Sequence, residues 1–243
     1  MKLNQNSLTI ATIPHVQISR RSAYHQAGQA VAVYLGNQQK NLPALHFQVL
    51  VSPPDLQSAM GGQLRRTAGK FAAKLQGGRL VPFLPYSFEV ATRLLSDPEK
   101  VQCLCAIEAD IINLLVGPLA EAKYVALRDN EVFNANLVYL GALKFYGGGQ
   151  DLNIINEYMT CLLPDNKTGQ HKKLAELFLA AYCFINDKRH WQAIRFLGEA
   201  IYGTPKEVFA CEELIALIEL GYSSSKATSK KPPFDNAFDG LMH

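Results

Sequence analysis

The run "PEKVQCLCAIEADIINLLVGPLAEAKYVAL", residues 98–127, constrains this chain more than any other stretch. Its apolar residues recur with a helical period, and Ile107, Ile111, Leu114 and Leu115 fall on one face. A long helix is expected here. Gly117-Pro118 interrupts the pattern. Proline lacks the amide proton and its ring crowds the preceding turn, so a break or kink is expected at that point.

The flanking segments give the rest of a mainly α fold with a small β element. Helical patterns cover 19–35, 85–97, 130–146, 151–163, 171–187, 189–202 and 210–221. Ser19 or Ser22 is placed to cap the first of these, and Gly36 to stop it. "ALHFQVLVS" (44–52) is rich in β-formers and ends at Pro53-Pro54, as a short strand does. Residues 57–80 hold five glycines and several basic side chains and read as loop plus one short helix. Three parts follow: an irregular lead-in (1–18), a helical domain (19–221) and a Ser-, Lys- and Pro-rich tail (222–243) expected to be mobile.

Composition excludes several classes. Apolar residues make up 48% and charged residues 19%, which is enough for a packed core and too apolar for a disordered chain. A net charge of +3 with no basic stripe argues against nucleic acid. The five cysteines (Cys103, Cys105, Cys161, Cys183, Cys211) are odd in number and form no C-x-x-C pair. A disulfide framework or cysteine zinc knuckle is not expected, and with no signal peptide this points to the cytoplasm. No continuous apolar run of about 18 residues stands out, so no membrane span is expected. "GGQLRRTAGKF" fails as a phosphate loop: Gly62 is too far from Gly69-Lys70, and Phe71 stands where a hydroxyl is needed.

The chemistry centres on "AYHQAGQAV", residues 23–31. On a helix, His25 and Gln29 share a face that Ser22, Ala32 and Gly36 extend, while Ala27, Val31 and Tyr34 suit a core. Gly28 would let another backbone approach closely. Alone, the pattern is that of a buried helix with one hydrogen-bonded histidine.

Four segments in order carry a resemblance. "SAYHQAGQAVAVYLG" resembles the active-site helix of the FtsH-type zinc metallopeptidases, which reads "AYHEAGHAV". "INLLVGPLAEAKY" (112–124), "GGGQDLNIINEYM" (147–159) and the Trp191-containing "RHWQAIRFLGEAIY" with "CEELIALIE" resemble that family's later helices. The resemblance implies a helical FtsH peptidase-domain-like fold standing without membrane segment or ATPase module. It also implies that the first zinc ligand falls at His25, the second at Gln29, the third at Asp151 and the catalytic base at Gln26, with Glu121 at a matching acidic position.

Two of these substitutions remove the chemistry. Zinc takes imidazole nitrogen, thiolate or carboxylate, and a neutral amide is a poor replacement. An amide also cannot accept the proton of a zinc-bound water, as a catalytic carboxylate does. The expectation is a catalytically inactive peptidase-like domain, without cofactor, that binds a protein or peptide partner, with self-assembly left open. The alternative is an active zinc hydrolase with an atypical site using His25 and Asp151. Asp151, after a glycine-rich turn, is also placed to cap its own helix. Glu121 has Lys123 and Arg128 as neighbours for pairing. His46 reads as structural, His171 and His190 as solvent-facing, Trp191 as core or interface, and Cys103 and Cys105 as buried.

Overall fold

The computed structural model describes residues 18–52, 72–135 and 138–228. The chain is mainly helical with one small sheet. Helix α1 (Arg20–Val31) opens it, with the Ser19 hydroxyl accepting from the Ser22 amide at 3.1 Å. It passes through a π-helical turn (Ala32–Gly36) into a single turn, α2 (Asn37–Gln39). Strands β1 (Phe47–Ser52) and β2 (Ala72–Gly77) follow, then α3 (Phe88–Thr92) and the long α4 (Asp97–Arg128). A 3-10 turn (Leu140–Tyr146) leads into α5 (Gly149–Leu162), α6 (Lys167–Asn186) and α7 (Lys188–Gly203). Strand β3 (Val208–Phe209) and α8 (Cys211–Thr228) complete the described chain.

The centre of the fold is α1. Its residues 23–31 are all buried, and it is flanked by α4 on one side and α7 on the other. Only a helix of small residues can be enclosed in this way without holding its neighbours apart. Gly28 is the contact point with α4: a Cβ built on it would lie 2.6 Å from the Ala120 Cβ and 2.9 Å from the Val116 carbonyl oxygen. Gly117 answers from the other helix, where a Cβ would meet the Gln29 Cγ at 2.6 Å and the His25 Nε2 at 2.9 Å. The expected close approach at Gly28 is therefore present, and it sets His25 and Gln29 directly against α4.

The expected break at Gly117-Pro118 does not occur. Helix α4 is continuous from Asp97 to Arg128, with Pro118 inside it. The lost Leu114 carbonyl bond is outweighed by packing: both residues are buried, and a Cβ at Gly148 would lie 2.9 Å from the Pro118 Cβ. At its start, the Glu99 carboxylate accepts from the Ser96 amide at 2.8 Å and the Ser96 hydroxyl at 2.6 Å. By length and composition α4 is apolar enough to cross a membrane. Yet 67% of its most apolar window is buried inside the fold.

The sheet is antiparallel, in the order β2-β1-β3, with Val49 opposite Leu75 on one side and Phe209 on the other. The predicted strand at 44–52 is β1, although His46 lies just outside it and is exposed. Residues 72–77 are a strand rather than part of a loop and helix; 57–71 lie outside the described residues. The predicted helix over 130–146 is restricted to a 3-10 turn at its end, because Asn130 turns the chain at φ 59° and Phe133 leaves to stack on Tyr182 at 5.3 Å. Helix α8 extends to Thr228, seven residues into the segment expected to be mobile, and Tyr222 packs against the core. Residues 1–17 of the lead-in and 229–243 of the tail are outside the described residues.

Candidate functional site

Helix α1, helix α4 and the first turn of α5 meet around His25. The His25 Nε2 lies 3.0 Å from Asp151 Oδ2, and Gln29 Nε2 donates to Asp151 Oδ1, also at 3.0 Å. On the other edge of the ring, Nδ1 faces the Tyr146 carbonyl at 3.2 Å and Glu121 Oε2 at 3.4 Å. Arg21 completes the cluster: its Nε donates to Glu121 Oε1 at 2.7 Å, and its Nη2 to the Phe145 carbonyl at 2.8 Å. Four of the residues singled out from sequence (His25, Gln29, Asp151 and Glu121) are thus brought together across more than a hundred residues.

Gly147 makes the turn that allows this. It has φ 74°, and a Cβ there would lie 2.9 Å from both Glu121 Oε2 and His25 Nδ1. Both the left-handed backbone and the close approach require glycine. Helix α5 then begins, and Asp151 sits in its first turn. The N-cap position belongs to Gly148, so the expectation that Asp151 caps its own helix is not met. Its carboxylate is directed across to His25 and Gln29 instead. Nor does Glu121 pair along its own helix. Lys123 donates to the Ile185 carbonyl and Asn186, and Arg128 pairs with Asp129.

Gln26, where the resemblance would put a catalytic base, faces elsewhere. Its Oε1 accepts the Leu75 amide of β2 at 2.6 Å. The two glutamine amides therefore do not bond each other; one is tied to the sheet and the other to Asp151.

The charges are balanced. Burial of His25 disfavours the imidazolium, but hydrogen bonds to Asp151 and Glu121, and their charges, outweigh that and raise its pKa to about 9. Burial likewise raises Glu121, but bonds from His25 and Arg21 bring its pKa below the usual value. At neutral pH two cations, Arg21 and His25, face two carboxylates, Glu121 and Asp151. An imidazolium donates from both nitrogens and has no lone pair for a metal. Gln29, at the second ligand position of the resemblance, offers a neutral amide, a poor zinc ligand, and turns its N–H to Asp151. Among the described residues no three His, Cys, Asp or Glu side chains form a group able to hold a metal.

The cluster opens on a cleft of about 760 Å³ between α1, α4, α5 and β2, bordered by Gln26, Lys74, Leu75, Arg79, Asn113 and Asp151. Asp110 lies at its wall, where its two carboxylate oxygens accept from the Leu80 and Val81 amides at 2.8 Å each and from the Tyr158 hydroxyl at 2.9 Å. Burial raises the Asp110 pKa despite those bonds. Sequence reading missed this residue, because nothing near it along the chain marks it as an anchor for 80–81.

Elsewhere the solvent-facing expectation fails for His190. It is buried, stacked on Phe184 with ring centroids 4.0 Å apart, and Gln39 Nε2 lies 2.8 Å from its Nε2. His171 is exposed, as expected. Trp191 packs partly buried beside Tyr24. Cys105 is exposed and Cys103 half-buried rather than buried, because both lie on the first turns of α4, before it enters the core. No family model, no curated protein and no solved structure matches the chain.

Proposed function

We propose that this chain is a catalytically inactive metallopeptidase-like domain whose cleft binds an extended peptide or protein segment. The observation that carries the reading is the closed cluster of His25, Gln29, Asp151, Glu121 and Arg21, in which each side chain of the resembled metal site is already satisfied by another. With amides at positions 26 and 29, general-base attack by metal-activated water lacks its base and one of its metal ligands.

The cleft supports a binding role. Among the described residues β2 is an edge strand, paired only with β1. The Leu75 amide points away from β1 and is bonded to Gln26, and strand alternation gives Ala73 the same direction. A strand edge beside a cleft is the geometry used when an extended peptide adds as a further strand.

Metal analysis and casein hydrolysis test the inactive half of the reading. The purified protein is expected to carry no stoichiometric zinc and to leave casein intact. Stoichiometric zinc that is lost in His25→Ala would overturn it in favour of a metal-dependent hydrolase using His25 and Asp151. Amide exchange tests the binding half: an unstructured casein peptide is expected to slow exchange at Ala73, and unchanged exchange across β2 argues against peptide addition there.

A further inference from the structure

A second cavity, of about 260 Å³, lies on the far side of Asn113, which borders both it and the main cleft. It is built where the π-helical turn ends, between α4, the end of α6 and the start of α7. Ala32, Ile112, Ala180 and the Phe184 ring give it apolar walls. Its charged groups are opposite in sign: Lys40 from the chain after α2 and Asp187 from the α6–α7 junction.

Neither charge is consumed by the other. Among the described residues Lys40 has no ion pair within 4.0 Å. Asp187 accepts from the Arg189 and His190 amides through one oxygen, Oδ1, at 2.8 and 3.0 Å. His190 is a fixed part of the wall: its ring is stacked on Phe184, and its nitrogens face the Phe184 carbonyl and Gln39.

Asn113 Nδ2 donates to Asn37 Oδ1 at 3.3 Å behind the cavity, which fixes the Asn113 side chain in its inner wall. The turn that brings Asn37 here is π-helical, a form concentrated at functional sites. Gly36 keeps the approach open, since a Cβ there would meet Asn113 Oδ1 and Phe184 at 3.7 Å.

We infer that this cavity binds a small zwitterion of amino-acid size with an apolar side chain. Its carboxylate pairs with Lys40 and the Asn113 amide, its ammonium with Asp187, and its side chain lies against Ile112, Ala180 and Phe184. The volume suits such a molecule and excludes a folded partner. The site is separate from the His25 cluster, and the inference does not rest on the peptidase-like reading.

L-leucine is the probe, with 4-methylpentanoate and 3-methylbutylamine as its two half-charged counterparts. Calorimetry measures the affinity. The exposed Cys183 thiol, which borders the cavity, reports the location through its rate of alkylation by N-ethylmaleimide. Leucine is expected to bind and to protect Cys183, and each half-molecule to bind about tenfold or more weakly, the equivalent of about 1.4 kcal/mol per lost charge contact. Lys40→Met and Asp187→Asn are each expected to weaken leucine about tenfold; the asparagine retains a capping oxygen for α7, so the fold is kept. No heat and no protection with any of the three probes overturns the inference. So does binding of leucine no tighter than of its half-molecules, or binding that leaves Cys183 fully reactive.

Discussion

Replacing Gly28 by alanine tests whether the α1–α4 crossing governs the fold. In an exposed helix interior this change would stabilise the protein by about 1 kcal/mol through helix propensity. Here the new methyl would lie 2.6 Å from the Ala120 Cβ and 2.9 Å from the Val116 carbonyl oxygen. Neither neighbour has a rotamer to move, so the helices themselves must separate. Overpacking of this kind costs roughly 1–3 kcal/mol, and both contacts are below 3.0 Å, which places the strain at the upper end. The net expectation is a loss of about 1–2 kcal/mol, or a fall in Tm of about 2–4 °C for each kcal/mol in a chain of this length. Gly149→Ala is the control, with open space around its Cβ and a place in the first turn of α5. It should be neutral or slightly stabilising. Ala120→Gly should cost about 1 kcal/mol alone but recover part of the loss when combined with Gly28→Ala, with a coupling of about 1 kcal/mol. Urea unfolding of the four variants and the wild type provides the numbers. If Gly28→Ala is as stable as Gly149→Ala, or if the double mutant is simply additive, the crossing is not as tight as the geometry requires.

The remaining expectations concern buried polar groups. His25, with a pKa of about 9 in the fold against 6.5 unfolded, contributes stability that is complete below about pH 6.5 and lost as pH rises through 9. The size is about 3 kcal/mol at 1.36 kcal/mol per unit; urea midpoints between pH 6 and 10 should fall accordingly, and a flat profile, or one unchanged in His25→Gln, would refute it. Asp110→Ala removes the acceptor for two backbone amides, while the Tyr158 hydroxyl keeps the Val81 carbonyl, and should cost about 2–4 kcal/mol by thermal unfolding. Gln26→Met leaves the Leu75 amide unpaired and should cost about 1–3 kcal/mol, with faster amide exchange at Leu75 as the specific readout. The double change Gln26→Glu, Gln29→His restores both family-type side chains; zinc uptake measured on the purified variant would show that the shell around them still accommodates a metal, and its absence that Arg21 and Glu121 hold His25 away from that role.

How much of this was legible in the sequence depended on distance along the chain. Helix α1 announced itself through Ser19 and its run of small residues, and α4 through its apolar period. Strand β2, "AAKLQG", has few β-formers; it is a strand because β1 lies beside it, a tertiary effect that local pattern does not carry. Pro118 was misread for a similar reason. Its local cost is real, but Gly148 packs against it from far along the chain. Glu121 was offered Lys123 and Arg128 because those are its helix neighbours, whereas its partner Arg21 comes from a hundred residues earlier. His190 carries no signal of burial in its own segment, and only the approach of Phe184 and Tyr222 encloses it.

The two amides at positions 26 and 29 look at first like two independent losses, but the geometry makes one charge pattern of them. The cleft wall contains Arg21, His25, Glu121 and Asp151, two cations and two anions that neutralise each other through direct contacts. A carboxylate at position 26 would add an unmatched negative charge at a side chain that is about nine-tenths buried. An imidazole at position 29 would compete with His25 for the one carboxylate, Asp151, that both would face. A metal ion resolves both problems at once by supplying positive charge; the imidazolium of His25 supplies it here without one. With His25 as the cation, glutamine is the residue that keeps hydrogen bonds at both positions while adding no charge. One amide holds the sheet through Leu75 and the other holds Asp151 in place beside His25. The cluster is thus a structural joint between α1, α4, α5 and β2, and the proposed role of the cleft is recognition along the edge of β2.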